Sequence, residues 1–233
     1  MKFPEPLIPG RLQRRYKRFL ADILLDDGNE VVAHCANPGS MMGLAPPGAP
    51  VWLSPANNPS RKLKYSWELV EIDGALVGIH TGRANALVGE ALEAGKIPEL
   101  CGYQDCRPEV RYGTNSRIDF LLEGEGRPAC YLEVKSVTLK RGGTTAEFPD
   151  AVTARGAKHL AELAEVVRQG QRAVQFFLVQ RADCDRVAVA ADIDPAYAEA
   201  LAKAVDGGVE VICYKSNLSP AAITLDDRIE LAL

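Results

Sequence analysis

The chain has 233 residues, 47% hydrophobic and 25% charged, with a formal net charge of −4. These values describe a globular protein able to bury one large core or two small ones. They exclude recruitment of a polyanion by overall charge, so any nucleic-acid contact must use a local patch of cations. No apolar run approaches the roughly 18–20 residues of a membrane-spanning helix. Met1-Lys2-Phe3-Pro4-Glu5-Pro6 puts charge and prolines where a signal peptide has its apolar stretch, so secretion by that route is not expected. The six cysteines include no Cys-x-x-Cys pair and are accompanied by three histidines. Free, mostly buried thiols in a reducing cytoplasm are therefore expected, rather than a zinc site or a disulfide framework.

In chain order, residues 18–25 and 30–35 read as strands joined by the turn Asp26-Asp27-Gly28-Asn29. Asn37-Pro38-Gly39-Ser40 breaks the second strand. Residues 51–54, 65–72 and 76–81 supply three more, the last two linked by Asp73-Gly74. Five short strands predict a small Greek-key barrel of the OB type over residues 1–81. A β-sandwich fragment or an SH3-like barrel fits the same pattern.

Past Gly82 the composition changes. Residues 84–94 place Leu87, Ala91 and Ala94 on one helical face, and Gly95 stops the helix. Strands are predicted at 109–112, 117–122 and 130–137. A helix over 152–169 follows, with Leu160, Leu163, Ala164 and Val167 at core spacing. The apolar run 173–180 fits a strand buried on both faces. Asp194-Pro195 marks a helix start, because Asp caps free amides and proline at the first turn wastes no donor. That helix ends near Gly207, before a last strand at 209–214. The fold class is α+β in two domains, a five-stranded OB-like barrel at 1–81 and an α/β domain at 82–233.

The chemistry concentrates in one predicted hairpin. Asp119 lies in its first strand and Glu133-Val134-Lys135 in its second. Side chains alternate along a strand, so Glu133 and Lys135 share a face, and Asp119 can stand beside them. Two carboxylates and an ammonium are costly to bury together without a ligand. A Mg²⁺ or Mn²⁺ ion removes that cost, since hard cations take oxygen ligands. Asp119 and Glu133 are expected to hold the metal, with Glu90 on the preceding helix as a further ligand. Lys135 is expected to deprotonate or orient the attacking water, or to offset charge building on a phosphate. An ordinary sheet face with a Glu–Lys pair, worth some tenths of a kcal/mol, accounts for the same string. The apolar neighbours Leu132, Val134 and Val137 make this a central strand, and Asp is a poor strand former; both favour a site.

The layout of helix, acidic hairpin, helix and strand resembles the core of the PD-(D/E)xK nuclease superfamily. Six stretches resemble the bacterial sugar fermentation stimulation protein family. They are Arg14-Arg15-Tyr16-Lys17-Arg18-Phe19-Leu20-Ala21-Asp22, His34-Cys35-Ala36-Asn37, Trp67-Glu68-Leu69, Ser116-Arg117-Ile118-Asp119-Phe120, Glu133-Val134-Lys135-Ser136-Val137-Thr138-Leu139 and Phe148-Pro149-Asp150-Ala151-Val152-Thr153. The resemblance implies an N-terminal OB-fold, a C-terminal PD-(D/E)xK-like domain, and a DNA-binding, regulatory role linked to sugar use. It carries the acidic site to Asp119, Glu133 and Lys135. Ala157 departs from the family, where glutamine often precedes the equivalent of Lys158-His159, and Ile118 stands where the superfamily pattern has proline.

Arg155 and His159, four apart on one helical face, are expected to contact the phosphate together with Ser136. The basic segments containing Arg14, Arg15, Lys17 and Arg18, and Arg61, Lys62 and Lys64, interleave cations with aromatics. On a barrel they could track a DNA backbone and stack bases. Gly124-Glu125-Gly126-Arg127-Pro128-Ala129 imitates a dinucleotide fingerprint but joins two strands, so it reads as a turn. His34 and His80 read as packed or surface residues. The expected function is a DNA-binding protein with a Mg²⁺- or Mn²⁺-dependent phosphodiesterase site. The alternatives are a non-cleaving DNA-binding regulator of sugar metabolism genes that keeps the nuclease-like fold, and a barrel that binds another ligand.

Overall fold

In the computed structural model, which describes residues 1–56, 58 and 60–232, alternation in the first third of the chain closes a barrel. Its strands are β1 (Ile8–Tyr16), β2 (Leu20–Leu25), β3 (Glu30–Cys35), β4 (Pro50–Pro55), β5 (Tyr65–Ile72) and β6 (Ala75–Gly78). Sheet order β3-β2-β1-β4-β5-β6 is closed by parallel pairing of β3 with β5, from Ala33↔Tyr65 to Cys35↔Trp67. Five strands make the barrel wall and β6 extends β5 as a hairpin. Leu12, Ile23, Ala33, Val51, Leu53 and Trp67 fill the interior. Closure removes the free sheet edges such a small β-domain would otherwise expose.

Three details of the barrel depart from the sequence reading. Residues 11–16 form part of a strand, although its outward side chains are mostly cationic. Lys17 and Arg18 lie in the β1–β2 turn at φ 47° and 64°, so β2 begins at Leu20 rather than at residue 18. Strand β6 also ends at Gly78, leaving residues 79–81 to lead into the first helix.

The rest of the chain builds an α/β layer structure. Helix α1 (Gly82–Glu93) comes first, followed by β7 (Asp105–Tyr112), β8 (Ser116–Glu123), β9 (Cys130–Val137) and β10 (Thr145–Phe148). Then come α2 (Ala154–Arg168), β11 (Arg172–Val179), β12 (Arg186–Val189), α3 (Pro195–Asp206), β13 (Glu210–Leu218) and β14 (Ile223–Ala232). Sheet order is β10-β12-β14-β13-β11-β9-β8-β7. Helix α1 buries Ala84, Leu87, Val88 and Ala91 on one face, against Leu132, Val134 and Phe176. Helices α2 and α3 bury Leu160, Leu163, Tyr197 and Leu201 on the other, against Val137, Phe177 and Val179. The alternation Val134/Lys135/Ser136/Val137 and Phe176/Phe177 thus feeds two cores from single strands, as expected for a sheet covered on both sides. The expected start of α3 holds: the Asp194 side chain accepts from the Tyr197 amide at 3.0 Å, with Pro195 at the first turn.

Barrel and sheet are joined at two places. At one, Gly78 and Ala182 amides donate to the carbonyls of Gln180 and Leu76, at 2.9 and 3.0 Å. Beside this strip Glu68, fully buried in the barrel, pairs with Arg83 of α1 through bonds of 2.5 and 3.0 Å and accepts from Ser54 at 2.6 Å. At the other, the Ser40 hydroxyl donates to the Asp150 carbonyl at 2.7 Å, and the Met41 amide to the Asp150 carboxylate at 3.0 Å. Gly39 is required there, because a Cβ would run into the Asp150 carboxylate. Removing one partner of a buried pair leaves an uncompensated charge. Arg83→Met is therefore expected to destabilise the protein by about 3 kcal/mol, read as a lower urea midpoint; an unchanged midpoint would show that Glu68 is not held by Arg83.

Candidate active site

The β8–β9 ladder sets up the site by stopping short. Its paired residues are Phe120↔Leu132, Leu121↔Tyr131 and Leu122↔Cys130. The same register carried one step further sets Asp119 opposite Glu133, where the ladder is broken. The Val134 amide donates to Asp119 Oδ2 at 2.7 Å, and Asn85 of α1 donates to Asp119 Oδ1 at 2.7 Å. Both oxygens of Asp119 are thus engaged by neutral donors.

Glu133 is held differently. Its Oε1 accepts from Lys135 Nζ at 2.6 Å and from His159 Nδ1 in a very short contact. Arg155 Nε donates to His159 Nε2 at 3.2 Å, which leaves the ring proton on Nδ1, facing the carboxylate. The Glu133 carbonyl accepts from buried Gln175 at 3.0 Å, fixing the backbone behind the side chain. Glu133 Oε2 is buried and has no partner among the described residues.

The electrostatics follow from this asymmetry. Burial and the neighbouring Glu133 charge push the Asp119 carboxyl up to about 6; the Val134 amide, Lys135 and Asn85 only partly offset them. Burial also acts to raise Glu133, but bonds from His159 and Lys135 outweigh it and hold this carboxyl below its ordinary value. The Tyr112 hydroxyl, buried without a partner among the described residues, is raised by burial and by Glu133, Glu162 and Asp119. Lys135 opens on a cleft of about 350 Å³, lined also by Asn85 of α1, by Ser136 and Phe148 of the sheet, and on the barrel side by Arg18, Asn37 and Gly39.

Asp119, Glu133, Lys135 and His159 are brought together. Glu90 is not: its carboxylate pairs with the Met1 amino group at 2.6 Å and is 54% exposed. It lies five residues from Asn85, about 140° around the helix from the side chain that does reach Asp119. His159 is buried against Glu133 rather than turned to the cleft, and Arg155 supports it. Ser136 lines the cleft and accepts from Gln180 at 2.7 Å. Among the described residues no three His, Cys, Asp or Glu side chains cluster as a metal centre. The donor set that fits a cation is the Asp119–Glu133 pair, with the unpartnered Oε2 as its free ligand atom.

The basic residues divide as well. Arg15 is committed to structure, donating to the carbonyls of Arg18, Asn37, Gly39 and Ser40 at 3.0–3.2 Å. Arg14 pairs with Asp22 at 2.7 Å and lies over Tyr16. Lys17, Arg18 and Lys62 are exposed, as is Lys64, and Arg61 donates to Ser66 at 3.2 Å. Asn85 and Gln175 carried no sequence signal as site residues. A helical wheel registered on Ala84, Leu87, Val88 and Ala91 would have shown that Glu90 lies off the sheet-facing side.

A closed five-stranded OB barrel, joined to an α/β sheet that holds an acidic pair and a lysine, defines a two-domain class of protein. Two family models match the chain: the SfsA N-terminal OB domain over residues 14–79, and the sugar fermentation stimulation protein RE domain over residues 82–222. The chain belongs to the sugar fermentation stimulation protein (SfsA) family. It is 60% identical to the sugar fermentation stimulation protein homolog of Paramagnetospirillum magneticum, over 97% of this chain and 95% of that one. It is 57% identical to the homolog of Maricaulis maris over the full length of both. A solved structure of Pyrococcus furiosus SfsA in complex with Ca²⁺ superposes with a TM-score of 0.90 at 27% identity, covering 100% of each chain.

The raised Asp119 carboxyl makes stability depend on pH with a definite sign. Between 3.8 and about 6 the native chain keeps a proton that the unfolded chain has lost, so stability falls as pH rises through that window. Glu133 acts oppositely, its contribution being lost only as pH falls below its ordinary 4.5. In metal-free buffer, urea unfolding of the wild type should therefore lose on the order of 2–3 kcal/mol from pH 4 to pH 7 relative to Asp119→Asn. Parallel pH profiles for the two proteins would contradict this assignment.

Proposed function

We propose that this protein hydrolyses phosphodiester bonds of DNA, using a divalent cation held by Asp119 and Glu133. The observation that carries the reading is Glu133 Oε2, buried and unpartnered among the described residues, beside a carboxyl whose ionisation the same glutamate opposes. A cation supplies what both groups lack. The Pyrococcus furiosus relative solved with Ca²⁺ supports a divalent ion, and Mg²⁺ or Mn²⁺ takes the same oxygen ligands.

His159 and Lys135 both bind Oε1, which turns Oε2 free for the ion. Arg155 keeps the His159 proton on the nitrogen that faces Glu133. Asn85 and the Val134 amide fix Asp119 in one orientation. When bound, Mg²⁺ or Mn²⁺ lowers the pKa of water and polarises a phosphoryl oxygen. Lys135, with its side chain 15% exposed and lining the cleft, orients the attacking water or offsets charge gathering on the phosphate. Lys17, Arg18, Arg61, Lys62 and Lys64 of the barrel supply local positive charge on a chain whose net charge is −4, and so hold the DNA backbone.

Purified protein incubated with Mn²⁺ and labelled DNA should release fragments, and Lys135→Ala should slow release by at least about 100-fold. Calorimetric titration with Mn²⁺ should give heat for the wild type and none for Glu133→Ala or Asp119→Ala. DNA bound in a salt-dependent way but left intact with either cation would overturn the phosphodiesterase reading and leave a non-cleaving binder.

A further inference from the structure

The cleft in front of Lys135 is bounded by both domains, and that restricts what can reach the site. On the barrel side, residues 37–40 are pinned from below by Arg15, whose guanidinium binds the carbonyls of Asn37, Gly39 and Ser40. From across the cleft the same loop is tied to Asp150 by Ser40 and Met41. The contact at Gly39 is too close to admit even a Cβ. The second joint, through Gly78, Ala182 and the buried Glu68–Arg83 pair, keeps the barrel from swinging aside. The cleft between these ties measures about 350 Å³, near the lower end of small-ligand pockets and enough for roughly one nucleotide.

The approach to the cleft is equipped for bases rather than for a duplex surface. Arg18 lines its barrel side, and its neighbour Phe19 is 44% exposed and stacks on His34 with ring centroids 6.5 Å apart. Arg61 lies near His34, whose protonation is opposed first by burial and then by the Arg61 charge. Opposite, Val152 lines the cleft and is 76% exposed. An exposed ring beside a cation stacks an unpaired base and tracks one backbone. In a duplex the bases are stacked inside and the second strand lies across a groove of about 6 or 12 Å. With Arg18, Asn37 and Gly39 of the barrel forming the wall that faces Lys135, a second strand has to be accommodated on the barrel side, whereas a single strand does not.

We infer that the site takes single-stranded DNA, threaded between barrel and sheet past Arg18 and Phe19. This rests on the proposed phosphodiesterase reading for the chemistry, but binding can be measured apart from it. Fluorescence anisotropy in the presence of a chelator, with a labelled single-stranded oligonucleotide and the blunt duplex of the same sequence, separates the two. The single strand should bind at least about tenfold more tightly, and Phe19→Ala should weaken it by about tenfold while leaving duplex binding unchanged. Gly39→Val, with the thermal midpoint checked separately, should reduce cleavage of the single strand. Equal affinity for both forms, or equal cleavage of a blunt duplex with Mn²⁺, overturns this inference while sparing the phosphodiesterase reading. Tight single-strand binding without cleavage spares the inference and overturns that reading, and no binding of either form overturns both.

Discussion

The structure turns on a gap in one ladder. Strands β8 and β9 pair normally up to Phe120 and Leu132, and the next step would set two carboxylates against each other. Instead the strands part, the Val134 amide is diverted to Asp119, and Glu133 is drawn away by His159 and Lys135. Burial makes the resulting charge imbalance costly, because Glu133 is sealed from solvent and Asp119 is only partly exposed. Neighbouring features serve to hold this arrangement. Asn85 reaches across from α1, Gln175 grips the Glu133 carbonyl from β11, and Arg155 fixes the histidine tautomer from α2. Elements on both faces of the sheet therefore converge on a single hairpin.

The barrel contributes geometry more than bulk charge. It is stitched to the sheet on two sides, and the loop carrying Asn37 to Met41 makes one wall of the cleft that leads to Lys135. Arg15, drawn from a segment rich in cations, spends its whole guanidinium on that loop. A charge run in sequence thus divides into a residue that shapes the cleft and others that face solvent. This division explains how a chain of net charge −4 can present a local basic lip.

The hairpin and the helix starts were legible because their signals are local. Asp119 in an apolar strand and Glu133-Val134-Lys135 two residues apart need only the alternation of a strand to be set on one side. Asp194-Pro195 needs only capping chemistry. Strand β1 was hidden because Leu12 is the only large residue it buries deeply, and its cations masked the alternation. The four-residue strands β10 and β12 carry too little pattern to register. Strand β14 holds Asp226-Asp227 on an exposed stretch and so reads as a turn, although Ile223, Leu225, Ile229 and Leu231 keep an apolar side. At the site, long-range packing decided what local pattern could not. Glu90 has the right chemistry on the wrong side of α1, and Asn85 the right position with unremarkable chemistry. His159 was marked by its spacing from Arg155, but only the packing of α2 against β9 turns it inward to Glu133.

The cation site proposed at Asp119 and Glu133 Oε2 is the central claim. Anomalous scattering from crystals soaked in Mn²⁺ tests it most directly. The account predicts an anomalous peak between the two carboxylates, within bonding distance of Glu133 Oε2. A fully ordered site with no peak there, or Mn²⁺ bound only elsewhere on the molecule, would contradict it.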